Sequence, residues 1–155
     1  MFTKKRSTVL VLSLLVICSS LYGATGVAFV HGKGAADLAN LSVATAYWGS
    51  DMLRASTKNW AVPYVVCHYD GTKYMWVAAN TVVQQLYDFI KAKNITDLVI
   101  NTHSFGGVVA RWIFSNPDYD YRYRAVVNAT RWVNTIAGPH MGSEAANLAG
   151  TLSGS

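Results

Sequence analysis

Apolar and polar positions follow two periods along this chain, and the changes of period mark out its elements. Gly26-Val27-Ala28-Phe29-Val30 is a short continuous apolar run, the pattern of a fully buried strand. It stops at His31-Gly32-Lys33-Gly34, where two glycines in four residues predict a tight loop. The spacing over Val43–Ala55 predicts a helix, weakened by Gly49. Pro63 precedes a second short strand, Tyr64–Cys67, and Asp70-Gly71 turns the chain. Ala79, Val82, Val83, Leu86, Phe89 and Ile90 then recur at helical spacing, with Gln85, Asp88 and Lys91 elsewhere, giving a strong amphipathic helix.

Asp97–Asn101 reads as a third strand and ends at Thr102-His103-Ser104-Phe105-Gly106-Gly107. Val108–Ser115 is helical until Asn116-Pro117 stops it, and Tyr121–Asn128 predicts a short helix. Arg131–Ile136 is a fourth strand, running into Gly138-Pro139-His140-Met141-Gly142-Ser143. Strands alternating with helices predict the α/β class, a parallel sheet with helices on both faces, and neither a repeat nor a linker divides it. Ligands of such sheets sit at the carboxyl ends of the strands. His31, His103 and His140 lie in three strand-end loops and His68 follows the second strand, so all four histidines are expected near one face.

Composition changes this picture at the N-terminus. The 155 residues are 52% hydrophobic and 14% charged, which excludes intrinsic disorder. Lys4-Lys5-Arg6 precedes the apolar run Val9–Cys18 and then Ser19, Ser20, Gly23 and Ala24, the order of a secretory signal peptide. The run is shorter than the roughly 20 residues of a membrane span. Residues 1–23 are therefore expected to be a signal and 24–155 the folded part, in a secreted or periplasmic protein. An uncleaved N-terminal anchor is the competing reading. Cys18 suggests a lipoprotein, but Ile17 is larger than that processing prefers.

The net charge is +5, and with residues 1–23 removed 10 Lys and Arg face 8 Asp and Glu. No basic stripe remains to indicate nucleic acid. Cys67 is then the one cysteine, so no disulfide forms within the chain and the core must supply the stability.

The candidate chemistry centres on Ser104. A serine between a strand and a helix, with small neighbours two positions away, fits a nucleophile elbow, where a sharp turn pushes the hydroxyl out of the sheet. Gly106 is small on one side; on the other, Thr102 stands where G-x-S-x-G has glycine. The helix N-terminus below the serine supplies amides to a developing oxyanion. Phe105 N–H is one candidate donor, and Lys33 N–H, beside Gly32, is the second. The plainer alternatives are a serine that caps a helix and a glycine loop that only turns.

These motifs together resemble the secreted bacterial lipases and esterases of the α/β-hydrolase family. Val27-Ala28-Phe29-Val30-His31-Gly32 resembles the family's strand and oxyanion loop. Thr102-His103-Ser104-Phe105-Gly106-Gly107, with Val108-Val109-Ala110-Arg111, resembles its elbow and following helix. Thr135-Ile136-Ala137-Gly138-Pro139-His140-Met141-Gly142-Ser143 resembles its Pro-His-x-Gly-Ser stretch. The resemblance implies that the four strands are the family's third to sixth, and that residues 24–155 are the N-terminal portion of a larger domain lacking its C-terminal strands. The Arg131–Ile136 edge is then open. It further implies an ester substrate, small or lipidic, with contact at a lipid interface and no cofactor. His31, Gly32, Thr102, His103, Gly106, Gly107, Pro139 and His140 are the structural residues of the motifs, and the triad acid and base are expected beyond residue 155.

The chain's own alternatives are limited. Asp118 or Asp120 followed by His140 mimics the order Ser, acid, His. However, a helix of 11 residues from Phe105 to Ser115 travels about 16 Å and carries both aspartates away from the serine. His140 is a possible base on the correct face, Glu144 could orient it only if the terminal segment folded back, and His103 adjoins Ser104 but is aimed elsewhere. Cys67-His68 admits a cysteine nucleophile, against a plain buried thiol. No metal-ligand spacing, P-loop or dinucleotide fingerprint is present. Tyr119, Tyr121 and Tyr123 could form a surface patch, and Asn40, Asn94 and Asn128 begin glycosylation sequons. A truncated, non-catalytic remnant that binds an acyl ligand or partner is the rival function. Nothing in the pattern sets an oligomeric state.

Overall fold

The structure, a computed structural model, describes residues 23–34 and 40–142. The predicted signal, apart from Gly23, and Ser143 and Glu144 lie outside the described residues. Four strands form one parallel sheet: β1 (Ala24–Val30), β2 (Tyr64–Cys67), β3 (Ile95–His103) and β4 (Thr130–Ile136), in the order β2-β1-β3-β4. β1 is central, with neighbours on both sides, which is why its sequence is continuously apolar rather than alternating.

Helices cover both faces. Val27 and Phe29 point to one face and pack with Trp48 and Leu53, contributed by α1 (Leu41–Trp48) and α2 (Ser50–Ser56). Ala28 and Val30, with Leu98 and Ile100 of β3, point to the other. There they meet α3 (Met75–Lys93), α4 (Phe105–Ser115) and α5 (Tyr121–Ala129). The stripe Ala79, Val82, Val83, Leu86, Phe89 and Ile90 of α3 is the buried one, as its spacing predicts.

Two sequence expectations change. The helix over Val43–Ala55 is two helices, broken at Gly49, whose φ of 78° is a left-handed conformation open to glycine. Of the three tyrosines read as a patch, Tyr123 is buried in the core, and only Tyr119 and Tyr121 are exposed. Asp120 caps α5, accepting from the N–H groups of Arg122 and Tyr123, and its carboxylate also pairs with Arg122. Among the described residues β4 pairs with β3 alone, and its side chains stay exposed after Thr130, including Trp132, Val133 and Ile136. No described helix is long and apolar enough to cross a membrane.

The chain steps from β1 out to β2, crosses back over β1 to β3, and continues outward to β4. The connections after β1 and β3 thus run to opposite sides, so the strand order reverses between the carboxyl ends of those two strands. That reversal of strand order is where open α/β sheets bind ligands. His31-Gly32 and His103-Ser104 border it.

Candidate active site

Ser104 joins β3 to α4 with φ 51° and ψ −121°. A non-glycine residue rarely takes this conformation, and holding one there costs about 1–3 kcal/mol. Its side chain makes no capping hydrogen bond to α4, so the capping alternative fails. The backbone is pinned instead: Ser104 N–H donates to Ile136 O at 2.8 Å, and Gly107 N–H donates to Ser104 O at 3.0 Å.

Two glycines allow the turn to sit where it does. A Cβ on Gly106 would lie 2.3 Å from Val30 O and 2.6 Å from His31 O, so the first turn of α4 rests directly on the end of β1. A Cβ on Gly32 would lie 2.9 Å from Ser104 Cβ. The β1 loop and the elbow are therefore in backbone-level contact. Thr102 is buried where the resembled motif has glycine, and its Oγ1 donates to Asn134 O at 3.2 Å. The extra side-chain atoms thus turn toward β4 and find a partner there.

Phe105 opens α4, and the N–H of a first helical residue has no partner within its helix. In the β1 loop, Lys33 is exposed and follows the buried Gly32. The loop is backed by Gly71, where a Cβ would be 3.0 Å from Gly32 O and 3.1 Å from Gly34 N. His31 is fully buried beneath it. Its Nδ1–H donates to Gly32 O at 2.7 Å, Nε2 accepts from Tyr69 N–H at 3.4 Å, and its ring stacks on Tyr69 at 4.0 Å. Tyr69 O–H donates to His31 O. His31 is therefore a neutral ring held under the loop by its own hydrogen bonds and by Tyr69.

Burial lowers the His31 pKa, and the hydrogen bond to Gly32 offsets part of that. A folded pKa below the unfolded value of about 6.5 favours folding fully above that pH, and the contribution disappears as pH falls through the folded value. Between pH 7 and pH 5 the wild type is expected to lose melting temperature more steeply than His31→Gln, although the variant starts lower. Parallel curves would contradict this role for His31.

The other histidines differ in burial. His103 is half-buried, and its Nδ1 stands 2.5 Å from Tyr47 Oη, which also accepts from Gly32 N–H at 2.8 Å. His140 is exposed beyond β4. Its ring folds back over Gly107, where a Cβ would meet Cε1 at 3.2 Å, and its carbonyl accepts from Arg111 Nη1 at 2.7 Å. Pro139 precedes it, half-buried. His68 is exposed beside α3, where its backbone exchanges hydrogen bonds with Gln85. All four histidines thus lie at or just past the carboxyl ends of parallel strands, as expected; His31 is buried, His103 half-buried, and His68 and His140 exposed. Asp118 and Asp120 lie beyond the far end of α4, paired with Arg124 and Arg122. No histidine or carboxylate of the described residues hydrogen-bonds Ser104 Oγ.

Cys67 is fully buried, and burial pushes its thiol up to about 12, well away from the thiolate a nucleophile needs. In a Cys18→Ser background the native chain is expected to leave a disulfide reagent such as DTNB unreacted, and to consume one equivalent in denaturant. Rapid native reaction would contradict that burial. Among the described residues no three His, Cys, Asp or Glu side chains are grouped to hold a metal.

Sequence reasoning missed Tyr47. It lies in a predicted helix with no motif around it, and its two polar partners are 15 and 56 residues away. A cleft of about 410 Å³ also runs along the outer side of α4, lined by Met75, Val108, Arg111, Trp112, Pro139 and His140 among others. A larger one, about 500 Å³, lies at Asp118–Asn128, past the far end of α4 and away from Ser104. Comparison of the chain with models of protein families, with curated proteins and with solved structures finds no match.

Proposed function

We propose that this chain carries the nucleophile of an exported serine hydrolase of the α/β-hydrolase type, acting on carboxylic esters of acyl or lipid character. The observation that carries the reading is Ser104 itself. It holds a strained backbone at the strand-order reversal, and its hydroxyl is committed to no cap. Ser104 Oγ attacks the ester carbonyl carbon, and the carbonyl oxygen becomes an oxyanion held by the amides of Phe105 and Lys33. The tetrahedral intermediate collapses, the alcohol leaves with a proton, and an acyl-enzyme remains on Oγ. Water then releases the acid. The histidine that moves these protons, and the acid that orients it, lie outside the described residues in this reading. Gly32 and Gly106 let the two oxyanion donors approach, and His31, Thr102, His103 and Gly107 shape the walls. Hydrolysis of p-nitrophenyl butyrate by the protein in its longest form, lost in Ser104→Ala, tests the assignment. Equal rates would overturn it.

One observation favours the rival reading, a non-catalytic fold that binds an acyl ligand: no described histidine reaches Ser104 Oγ. That reading predicts saturable binding of a fatty acyl ester with no release of acid.

A further inference from the structure

We propose that Tyr47 is the positioning residue of this site, its hydroxyl tying the β1 loop to the elbow. The inference rests on the reading of Ser104 as nucleophile. Tyr47 approaches from α1, on the face of the sheet opposite α4, and its ring is half-buried. It packs edge-on to Trp48 at 5.2 Å, to His103 at 5.6 Å and to His31 at 6.2 Å. Packing alone would be served equally by phenylalanine. The hydroxyl is what distinguishes tyrosine here. It accepts from Gly32 N–H at 2.8 Å and meets His103 Nδ1 at 2.5 Å, donating to that nitrogen when the ring carries its proton on Nε2.

The position of a Cβ on Gly32 measures how tightly these groups converge. That point lies 2.9 Å from Ser104 Cβ, 3.1 Å from Tyr47 Oη and 3.3 Å from His103 Nδ1. The loop, the helix hydroxyl, the imidazole and the serine thus surround one small volume that only glycine leaves open. Two consequences follow for the chemistry. Gly32 N–H is committed to Tyr47, so the next amide, Lys33, is the one the loop has left to offer an oxyanion. His103 is held by Nδ1, which keeps its ring from turning onto Ser104 Oγ. Tyr47 touches neither substrate nor the reacting atoms; it acts through Gly32 and His103.

The test is Tyr47→Phe in the full chain, with two independent readouts. The first is p-nitrophenyl butyrate hydrolysis per active site titrated with a phosphonate, alongside wild type and Ser104→Ala. A fall in kcat of tenfold or more with KM within twofold is expected, because the loop positions oxyanion donors and does not itself bind the acyl chain. A merely structural role would reduce the number of titratable sites and leave the rate per site unchanged, and that result would overturn the proposal. The second is NMR. The Gly32 amide is expected to exchange with solvent at least tenfold faster in Tyr47→Phe, and the His103 imidazole nitrogens to shift. If the protein in its longest form shows no Ser104-dependent turnover, the ester-hydrolase reading falls. The NMR comparison then decides the tie alone: unchanged Gly32 exchange and unchanged His103 nitrogens would overturn it, and the expected changes would sustain it.

Discussion

Ser104→Gly is expected to melt above wild type and to hydrolyse no ester. At φ 51° and ψ −121° the serine Cβ is strained, and relief of that strain is worth about 1–3 kcal/mol. Glycine gives back about 0.5–1 kcal/mol through its greater freedom in the unfolded chain. The net gain is about 1 kcal/mol, or about 4 °C in Tm for a domain near this size. No native hydrogen bond of the side chain is sacrificed, since Ser104 makes no cap. Activity moves the other way. Loss of a nucleophile removes rate by a factor on the order of 10⁶. Opposite signs in the two measurements are what separate a strained functional residue from an ordinary turn serine. Lower stability in Ser104→Gly would mean that the side chain holds the turn together.

The second large effect is at Gly106. Alanine is the better helix former by about 1 kcal/mol, so in an exposed helix this change would stabilise. Here the new methyl would stand 2.3 Å from Val30 O and 2.6 Å from His31 O. Both are backbone atoms at the end of the central strand, and neither has a rotamer to move into. Overpacking commonly costs about 1–3 kcal/mol, and with backbone on both sides the upper end applies. Gly106→Ala is therefore expected to lose about 3 kcal/mol in urea unfolding and to displace the His31–Lys33 loop from the serine. An unchanged urea midpoint would show that α4 does not rest on β1 as described.

Much of this arrangement is legible in the sequence because it is local. The continuous apolar run of β1, the stripe of α3, and Ser104 between a strand and a glycine pair are all read within a few residues. Other features are set by distant partners. β3 extends through Thr102 and His103 because Thr135 and Ile136 of β4 pair with them, which no short window contains. Local propensity alone starts α4 at Val108, whereas the elbow reading places its start at Phe105, where close approach to β1 outweighs the poor helix formers Gly106 and Gly107. Gly49, which the spacing marks only as a weak point in one helix, separates two. Tyr47 was invisible for the same reason as the β3 extension: residues 32, 47 and 103 meet only after the sheet forms. The four histidines lie at or just past the carboxyl ends of parallel strands, as their placement in the sequence predicts, while burial removes His31 from reaction.

Covalent labelling tests the central claim most directly. A serine-directed fluorophosphonate is added to the protein in its longest form and to Ser104→Ala, and the modified peptide is located by mass spectrometry. The expected result is a single adduct on Ser104 in wild type and none in the variant. Equal labelling of the two proteins, or an adduct on another residue, would contradict Ser104 as the nucleophile.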